Sequence, residues 1–357
     1  SEILKKKNTS YKVIDTFSNN YQYSFNKKKI STYKKYKTLS VFGLGGSSLC
    51  IKAIYDFLKF KIKKKVYFYD NLNVSIPKIV QNKNLNIVIS KSGSTLETIV
   101  NQNIFSKCKK LFITENKKSY LMDLALKLKS EIIEHRNFVG GRYSVLSEVG
   151  MLPSELMGLN PQKFRQLNNL VRNKSFMNSL IKNVSATVFY LQKKKFNSII
   201  INYDEKSTNL FNWYQQLIAE SLGKKGNGIL PVISNMPKDN HSVMQLYLDG
   251  FKNNFFTFFY SQENNSTKIN NELILLEQKY LKNKDINQIM YAQKKATEIV
   301  FKKKNIPFRS FEIKKRDEKT LGELFCFFIL ETILIDKALK INPFDQPAVE
   351  LIKKETK

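Results

Sequence analysis

Residues 86–98 read NIVISKSGSTLET, and they decide the kind of fold that the chain adopts. An apolar, β-branched run ending at Ile89 leads into several hydroxyl side chains, one lysine (Lys91) and one glycine (Gly93). From Leu96 onward, apolar residues recur at the spacing of a helix. The pattern predicts a strand, a tight loop and a helix start, which together aim backbone N–H groups and a positive helix end at an anion.

Two interpretations of this loop stay open on the stretch alone. The hydroxyl groups of Ser90, Ser92 and Thr95, completed by Lys91, would form a cradle for a phosphate group. The alternative is an ordinary well-capped helix start, because Ser, Thr and Gly are common loop and cap residues. The rest of the chain has to decide between them.

The same strand–loop–helix scheme recurs along the chain. Strands alternating with helices are typical of βαβ units and of a mainly parallel sheet covered on both faces. We therefore predict the α/β class, with two doubly wound α/β/α sandwich domains. The predicted strands are 38–44, 66–69, 87–89, 111–114 and 131–133 in the first half, and 198–202, 229–233, 255–260 and 308–313 in the second.

The chain of 357 residues is long enough for two packed cores. Residues 1–155 are predicted to form a lysine-rich N-terminal arm and the first domain, which carries the phosphate loops. A helical connection is expected over 156–195, and the second domain, which ends in a C-terminal helix, over 196–357. The arm has few apolar side chains, so we expect it to wrap the first domain.

The formal charge of +30 suggests a nucleic-acid binder, but the composition argues against one. Only six of the sixty basic residues are arginine, the side chain that forks onto bases and phosphates. The lysines are scattered in short runs, as expected for water-facing surfaces. We predict no specific nucleic-acid partner.

Other composition features bear on location and cofactors. The longest apolar run, residues 324–330, is far shorter than a membrane span, so no membrane association is expected. The chain opens without a charged-then-apolar leader, and its three cysteines lack disulfide or zinc spacing. We expect a cytoplasmic protein without metal or organic cofactor.

A second glycine-rich loop, GLGGSS at residues 43–48, follows the first predicted strand. A dinucleotide site has to be weighed here, because Asp70 ends the second strand as a ribose-binding acid would. The third glycine of that fingerprint is absent, with Ser48 in its place, and no Walker A pattern occurs in the chain. The alternative is a loop whose glycines let the backbone approach another ligand.

Two further candidates bring opposite charges. Gly140 and Gly141 precede Arg142, and this arrangement would place a permanent cation beside backbone N–H donors. The alternative is an ordinary Gly-Gly turn followed by a surface arginine. Glu220 lies in the last turn of a predicted helix before Gly223. An acid is electrostatically unfavourable there, and such a locally wrong choice hints at function.

The chain has two histidines. His241 is predicted to lie at a helix N-terminus, where the helix dipole favours a neutral imidazole suited to proton relay. His135 ends a strand, and we interpret it as structural. The segment 342–353 reads as a helix entry, in which Lys353 taken alone is one more surface lysine.

Together these segments resemble the glucose-6-phosphate isomerases of the two-domain sugar-isomerase (SIS) type, over about residues 38–353. The loops at 90–95 are common to SIS proteins, whereas the segments around 139–144 and 344–353 are specific to this family. The matching motifs are 43–47, SKSGST at 90–95, VGGRYS at 139–144, QLIAES at 216–221, Asn240-His241, and FDQ at 344–346 with Glu350 and Lys353.

The resemblance implies two SIS-type domains and a reversible isomerisation of glucose 6-phosphate and fructose 6-phosphate through a cis-enediolate. Glu220 would be the base that carries the proton, and Arg142 would stabilise the enediolate. His241 and Lys353 would assist ring opening. The residues implied to bind substrate are Gly46, Ser47, Ser90, Lys91, Ser92, Thr95, Gly141, Gln216 and Gln346.

The resemblance also implies a homodimer with shared active sites, because the family's histidine comes from the partner subunit. Two alternatives remain: a dual phosphoglucose/phosphomannose isomerase, and a non-catalytic SIS protein that senses a phosphosugar. A sensor would have no reason to keep Glu220, His241 and Lys353 together. Glu148, and Cys50 with Ile51, depart from the family's usual residues.

Overall fold

The computed structural model describes residues 9–72, 83–105, 108–263 and 265–356, and it describes only the backbone of Thr9, Ser10, Glu350, Lys353 and Lys354. The described strands of the first sheet are β1 (Thr38–Phe42), β2 (Lys65–Tyr69), β3 (Asn84–Ile89), β4 (Lys109–Thr114) and β5 (Glu131–Glu134). They are parallel and lie side by side in the order β2-β1-β3-β4-β5. Apolar side chains fill both faces of the central strands, as expected for a covered parallel sheet.

The described strands of the second sheet are β6 (Asn197–Asn202), β7 (Leu230–Asn235), β8 (Asn254–Ser261) and β9 (Phe308–Ile313). They are parallel and lie side by side in the order β7-β6-β8-β9. The α/β class with two mainly parallel sheets is confirmed, because each described strand pairing in both sheets is parallel.

Helices cover the two sheets and connect them. Among the described helices, none combines the length and apolarity needed to cross a lipid bilayer. The α-helices are α1 (Lys27–Ser31), α2 (Gly46–Phe57), α3 (Leu96–Ile104), α4 (Tyr120–Lys127), α5 (Glu148–Leu156), α6 (Leu167–Leu170), α7 (Lys174–Gln192), α8 (Thr208–Leu222), α9 (Met244–Asp249), α10 (Ile286–Lys303), α11 (Glu318–Leu339) and α12 (Pro347–Glu355).

Each sheet has a switch point, where strand connections leave in opposite directions. In the first sheet it lies between β1 and β3, and in the second between β6 and β8. Loops diverge at these points and leave a crevice outside the carboxyl ends of the strands, which is where open α/β sheets bind ligands. The loops 43–46 and 90–95 are the two that diverge in the first sheet.

The main hydrophobic core is shared between the two halves of the chain. The largest hydrophobic cluster includes buried residues of both halves, such as Ile54 on α2, Leu217 on α8 and Phe328 on α11. α2 packs against α8, and α11 is buried along most of its length because it contacts both α7 and α8. The helix that carries Glu220 is therefore fixed against the first sheet's own helix.

The N-terminal arm contributes more to the core than its composition suggested. Phe17 and Ile30 are fully buried in the main cluster. Arg165 lies with its guanidinium carbon 4.9 Å from the ring centre of Tyr21 and 4.6 Å from that of Tyr23. Burial of the arm therefore rests on a few large side chains and one arginine.

Candidate active site

Arg142 is the centre of the candidate site. It lies in the 3-10 helix Gly141–Leu146 with only 4% of its side chain exposed. Its Nη1 group donates to Glu220 Oε2 at 2.9 Å, and its Nε group donates to Ser221 Oγ at 2.9 Å. Because a guanidinium stays protonated in proteins, the site contains a permanent positive charge in a fixed orientation.

Glu220 lies in the last turn of α8, as predicted. Its Oε1 atom accepts a hydrogen bond from Gln216 Nε2 at 2.8 Å, one helical turn earlier. The Glu220 side chain is 29% exposed, whereas its partner Arg142 is buried. The carboxylate is thus held from two sides and remains open to a ligand.

Two glycines bring the loop after β1 into contact with these residues. A Cβ on Gly46 would lie 2.0 Å from the carbonyl oxygen of Gly141, so a side chain at this position is excluded. Gly45 has φ of +53°, and a Cβ there would lie 2.6 Å from Gln216 Nε2. The close approach requires glycine at both positions. Ser47, in the first turn of α2, is buried beside them.

The loop 90–95, here called the hydroxyl loop, follows β3 at the switch point. Ser90 Oγ lies 2.8 Å from Thr95 Oγ1 and 3.5 Å from Ser92 Oγ. Thr95 is the N-cap residue of α3, yet its side chain makes no capping hydrogen bond. The first turn of α3 thus has no side-chain cap, which leaves its N–H groups suited to an anion.

Lys91 directs its side chain away from the hydroxyl loop. Its Nζ donates to the carbonyl oxygen of Asn137 at 2.8 Å and lies 3.6 Å from Glu115. Burial lowers the pKa of Lys91, and the nearby Glu115 carboxylate opposes that change. In this structure only the main chain of Lys91 belongs to the hydroxyl loop.

Residues Asn342–Gln346, here called the C-terminal loop, reach Arg142 from the far end of the chain. Arg142 Nη2 donates to the carbonyl oxygens of Pro343 and, at 3.2 Å, Asp345. Gln346 Oε1 accepts from Arg142 Nη1 at 3.3 Å. Arg142 therefore connects a helix of the second domain with the loop that leads into α12.

Comparison with known proteins agrees with this geometry. Residues 6–357 match the phosphoglucose isomerase family. A glucose-6-phosphate isomerase of Methanocaldococcus jannaschii is 32% identical, over 93% of this chain and 86% of that protein. One from Mycoplasmopsis pulmonis is 33% identical, over 89% of this chain and 81% of that protein.

Solved structures share the fold. A hypothetical protein of Thermus thermophilus superposes with a TM-score of 0.88 at 22% identity, over 99% of this chain and 92% of that one. The chain belongs to the phosphoglucose isomerase family. A glucose-6-phosphate isomerase of Chlamydia trachomatis gives 0.77 at 19% identity, over 92% of this chain and 71% of that one. Membership of the phosphoglucose isomerase family makes the protein a sugar-phosphate isomerase.

Several residues that the family resemblance named come together in one chain. Arg142, Glu220, Gln216 and Gln346 form one hydrogen-bonded group, and Gly46 and Gly141 are in contact beside it. The hydroxyl loop lies at the neighbouring switch point. Lys353 is on α12, but its side chain, like that of Glu350, lies outside the described residues.

His241 is separate from this group. The prediction of a helix N-terminus was wrong, because His241 is the last residue of the 3-10 helix Lys238–His241, and α9 begins only at Met244. The short helix is tied to the end of β7, where Asn235 N–H donates to Asp239 at 2.7 Å. Thr208, the first residue of α8, also contacts Asn235. Glu220 lies twelve residues further along α8, or about 18 Å away along the helix axis.

Three other expectations can be compared with the structure. Asp70 accepts a hydrogen bond from Ser48 at 3.1 Å and pairs with Lys52 at 2.6 Å. These contacts engage the carboxylate that would otherwise bind the ribose of a dinucleotide. His135 is buried, and burial lowers its pKa to about 4, as befits a neutral structural histidine. Within the described ranges, no group of three or more His, Cys, Asp or Glu side chains is arranged to hold a metal ion.

Four residues around the site were missed at the sequence level. Ser221 bonds both Arg142 and the hydroxyl of Tyr143, and the indole N–H of Trp213 donates to the carbonyl oxygen of Arg142 at 3.0 Å. Lys224 and Asp336 lie next to the C-terminal loop. Ser221 and Lys224 had a signal, because they flank the Glu220 helix end. Asp336 lies inside an apolar helix, and the periodicity of the sequence provided no signal for its role.

Proposed function

We propose that the protein interconverts glucose 6-phosphate and fructose 6-phosphate at the Arg142–Glu220 site. The observation that carries the proposal is the 2.9 Å contact between a buried guanidinium and a partly exposed carboxylate. Gly46, in the loop after β1, contacts Gly141 beside this pair, and β1 pairs with β3, which leads into the hydroxyl loop and the uncapped start of α3. An aldose–ketose isomerisation needs a base, a positive charge near the developing oxyanion and a grip on the phosphate. This site has a candidate for each.

Glu220 takes a proton from C2 and returns it to C1, through a cis-enediolate. Gln216 holds one carboxylate oxygen, which leaves the other, on the Arg142 side, to share between arginine and substrate. As negative charge develops on the substrate oxygens, Arg142 stabilises it without any reorganisation, because five hydrogen bonds already fix the guanidinium.

The hydroxyl loop binds the phosphate group. Ser90, Ser92 and Thr95 offer hydroxyl donors, and the main chain at Lys91 and the start of α3 offers N–H groups. Ser47 approaches from the neighbouring loop across the switch point. Gln346 orients a sugar hydroxyl from the opposite side, where it already meets Arg142.

Ring opening uses His241 and Lys353, and it requires a second copy of the chain. His241 is exposed at the carboxyl edge of the second sheet, at the opposite end of α8 from Glu220. The described contacts place the two side chains near opposite ends of α8, which favours a substrate site completed by a second copy. A homodimer in which His241 of each copy completes the other copy's site satisfies this geometry.

A segment between β8 and α10 supports self-association. It exposes four large apolar side chains within eight residues: Leu273 at 79%, Leu275 at 73%, Leu276 at 86% and Tyr280 at 73%. Apolar groups clustered in this way are costly to leave in water and typical of contact surfaces. We assign a second copy of the chain as their partner.

The remaining proposals concern location and other partners. Cys50, Cys108 and Cys326 are buried and unpaired, which supports a reducing compartment such as the cytoplasm. The arginines at 142, 165, 309 and 316 lie in internal ion pairs or hydrogen bonds rather than on a basic face. This supports the absence of a specific nucleic-acid partner.

The decisive test couples fructose 6-phosphate conversion to glucose 6-phosphate detection, with mannose 6-phosphate as the second substrate. Production of glucose 6-phosphate alone supports the proposal, and equal turnover of the mannose isomer would favour the dual enzyme. For the shared site, Glu220→Gln and His241→Gln chains are co-refolded. Random mixing should restore about a quarter of wild-type activity, because one of the two sites in each mixed dimer is intact. No restoration would place both residues in one copy's site.

A further inference from the structure

The C-terminal loop is held from two sides. Arg142 binds it on one side, through Pro343, Asp345 and Gln346. On the other side, Lys224 Nζ pairs with Asp345 Oδ1 at 2.8 Å and donates to the carbonyl oxygen of Asn342. Only 10% of the Lys224 side chain is exposed, so this ion pair is well shielded on the lysine side.

Lys224 has a rigid anchor of its own. It follows Gly223, the C-cap of α8, and lies four residues after Glu220. Its backbone N–H donates to Asn227 at 3.0 Å, and its carbonyl oxygen accepts from Asn227 at 2.9 Å. The turn that carries Lys224 is thus an extension of the helix end that carries Glu220.

Asp336 lies beneath this contact and is 1% exposed. Its Oδ1 atom has no hydrogen-bond partner among the residues that the structure describes. The charged and titratable groups that face it are Lys224 beyond α8, Asp345 in the C-terminal loop, and Arg142 with Tyr143 in the 3-10 helix. Burial raises the pKa of Asp336 to about 7, and Lys224 is the first among the groups that oppose this rise.

We propose that Lys224 is a positioning residue for the isomerisation, which sets the C-terminal loop in register with Glu220. The proposal rests on the proposed function. Gln346 ends this loop and α12 begins directly after it, so the direction in which both leave depends on Asp345. Lys224 connects Asp345 to the helix end of the base, and its side chain contacts the C-terminal loop at both Asp345 and Asn342.

The test compares Lys224→Met with Lys224→Arg and with Lys225→Met. Lys225 is the matched control, because it is adjacent and exposed. For Lys224→Met we expect kcat to fall by about 10²-fold, since a displacement of about 1 Å costs this much. KM should change by less than about threefold, because the hydroxyl loop is untouched. Lys224→Arg should recover most of the loss, and Lys225→Met should behave as wild type.

A coupling measurement separates positioning from general destabilisation. Lys224→Met and Asp345→Asn should each lower kcat, and the double variant should be no worse than the more impaired single variant, because both remove one contact. The concentration of folded sites is measured by fructose 6-phosphate binding, and kcat is calculated per folded site. A wild-type kcat in folded Lys224→Met, or a loss explained by fewer binding sites, overturns the role. A wild-type chain without isomerase activity overturns the proposed function and this role together.

Discussion

The carboxyl edges of the two sheets differ in how their charges are matched. Both sheets are parallel and both have a switch point beside their first strand. At the carboxyl edge of the second sheet, Arg316 donates to Asp204 at 2.7 Å and to Glu263 at 2.9 Å. Its guanidinium carbon lies 4.6 Å from the ring centre of Phe57. Side-chain exposure is 4% for Arg316 and 7% for Asp204.

At the carboxyl edge of the first sheet, polar side chains remain accessible to a ligand. In the hydroxyl loop, Ser90 contacts both Ser92 and Thr95. Among the residues that the structure describes, no hydrogen bond joins these three hydroxyl groups to a charged side chain. The nearby Glu220 carboxylate is 29% exposed, although it pairs with an arginine as Asp204 does. The same topology therefore produces the proposed ligand site at one edge and a sealed ion pair at the other. What decides between them is whether a carboxylate's charge is already enclosed.

The largest effect is expected at the open carboxylate. Glu220→Gln keeps the shape and removes the basicity, so kcat should fall by about 10²–10⁴-fold while phosphosugar binding persists. The measurement is exchange of the C2 hydrogen of glucose 6-phosphate in labelled water, alongside anomerisation of the same sugar. The control is Glu263→Gln at the sealed edge, which should keep wild-type turnover. Wild-type exchange in Glu220→Gln would assign the base to another residue.

Breaking the sealed pair should affect stability and not chemistry. Arg316→Met leaves Asp204 buried without its cation, which is expected to cost about 3–5 kcal/mol of unfolding free energy. Chemical denaturation measures the loss, and kcat per folded site should stay near wild type. A marked fall in kcat without loss of stability would mean that the Arg316–Asp204 pair also positions His241, which lies at the same carboxyl edge.

Removing hydroxyls from the open edge should weaken phosphate binding. Each hydrogen bond to a charged group contributes about 1.5–3 kcal/mol, so the double variant Ser92→Ala, Thr95→Ala should raise KM for fructose 6-phosphate at least about tenfold. Unphosphorylated fructose is the control ligand, and its weak binding should not change. An unaltered KM for the phosphorylated sugar would place the phosphate elsewhere.

The smallest effect is expected from Asp336. Its pKa of about 7 in the folded protein is above the ordinary value of 3.8, so the folded state binds the proton more tightly. The resulting stabilisation is fully present below the ordinary pKa and is lost as pH rises through the folded pKa. Asp336→Asn should therefore flatten the decline in unfolding free energy between about pH 6 and 8 by about 1 kcal/mol. An unchanged slope would show that Asp336 titrates in its ordinary range.

Sequence patterns predicted the nine described strands because each is an apolar run next to a loop or glycine. The largest difference in a strand limit is at the start of β3, where buried polar side chains are responsible. β3 begins at Asn84 and not at residue 87, because Asn84 and Asn86 are fully buried in hydrogen bonds with each other and with Ser40. Hydropathy treats such asparagines as exposed, although they are satisfied inside the sheet.

For the site, local motifs named the residues but not their partners. Arg142 and Glu220 are 78 positions apart, and only the packing of α2 on α8 brings them together. Lys224 and Asp345 were invisible as a pair for the same reason. His241 was misplaced because its segment forms a 3-10 turn before α9, and the sequence has no cap signal that separates the two.

The contact between Arg142 and Gln346 has a consequence for the newly made chain. The two residues are 204 positions apart, so Gln346 is synthesised well after Arg142. At about 5–20 residues per second, roughly 10–40 s pass between their synthesis. Late in that interval the nascent chain contains both Arg142 and Glu220 but not yet Gln346. The contact that fixes the guanidinium against the C-terminal loop can form only after Gln346 has been added to the chain.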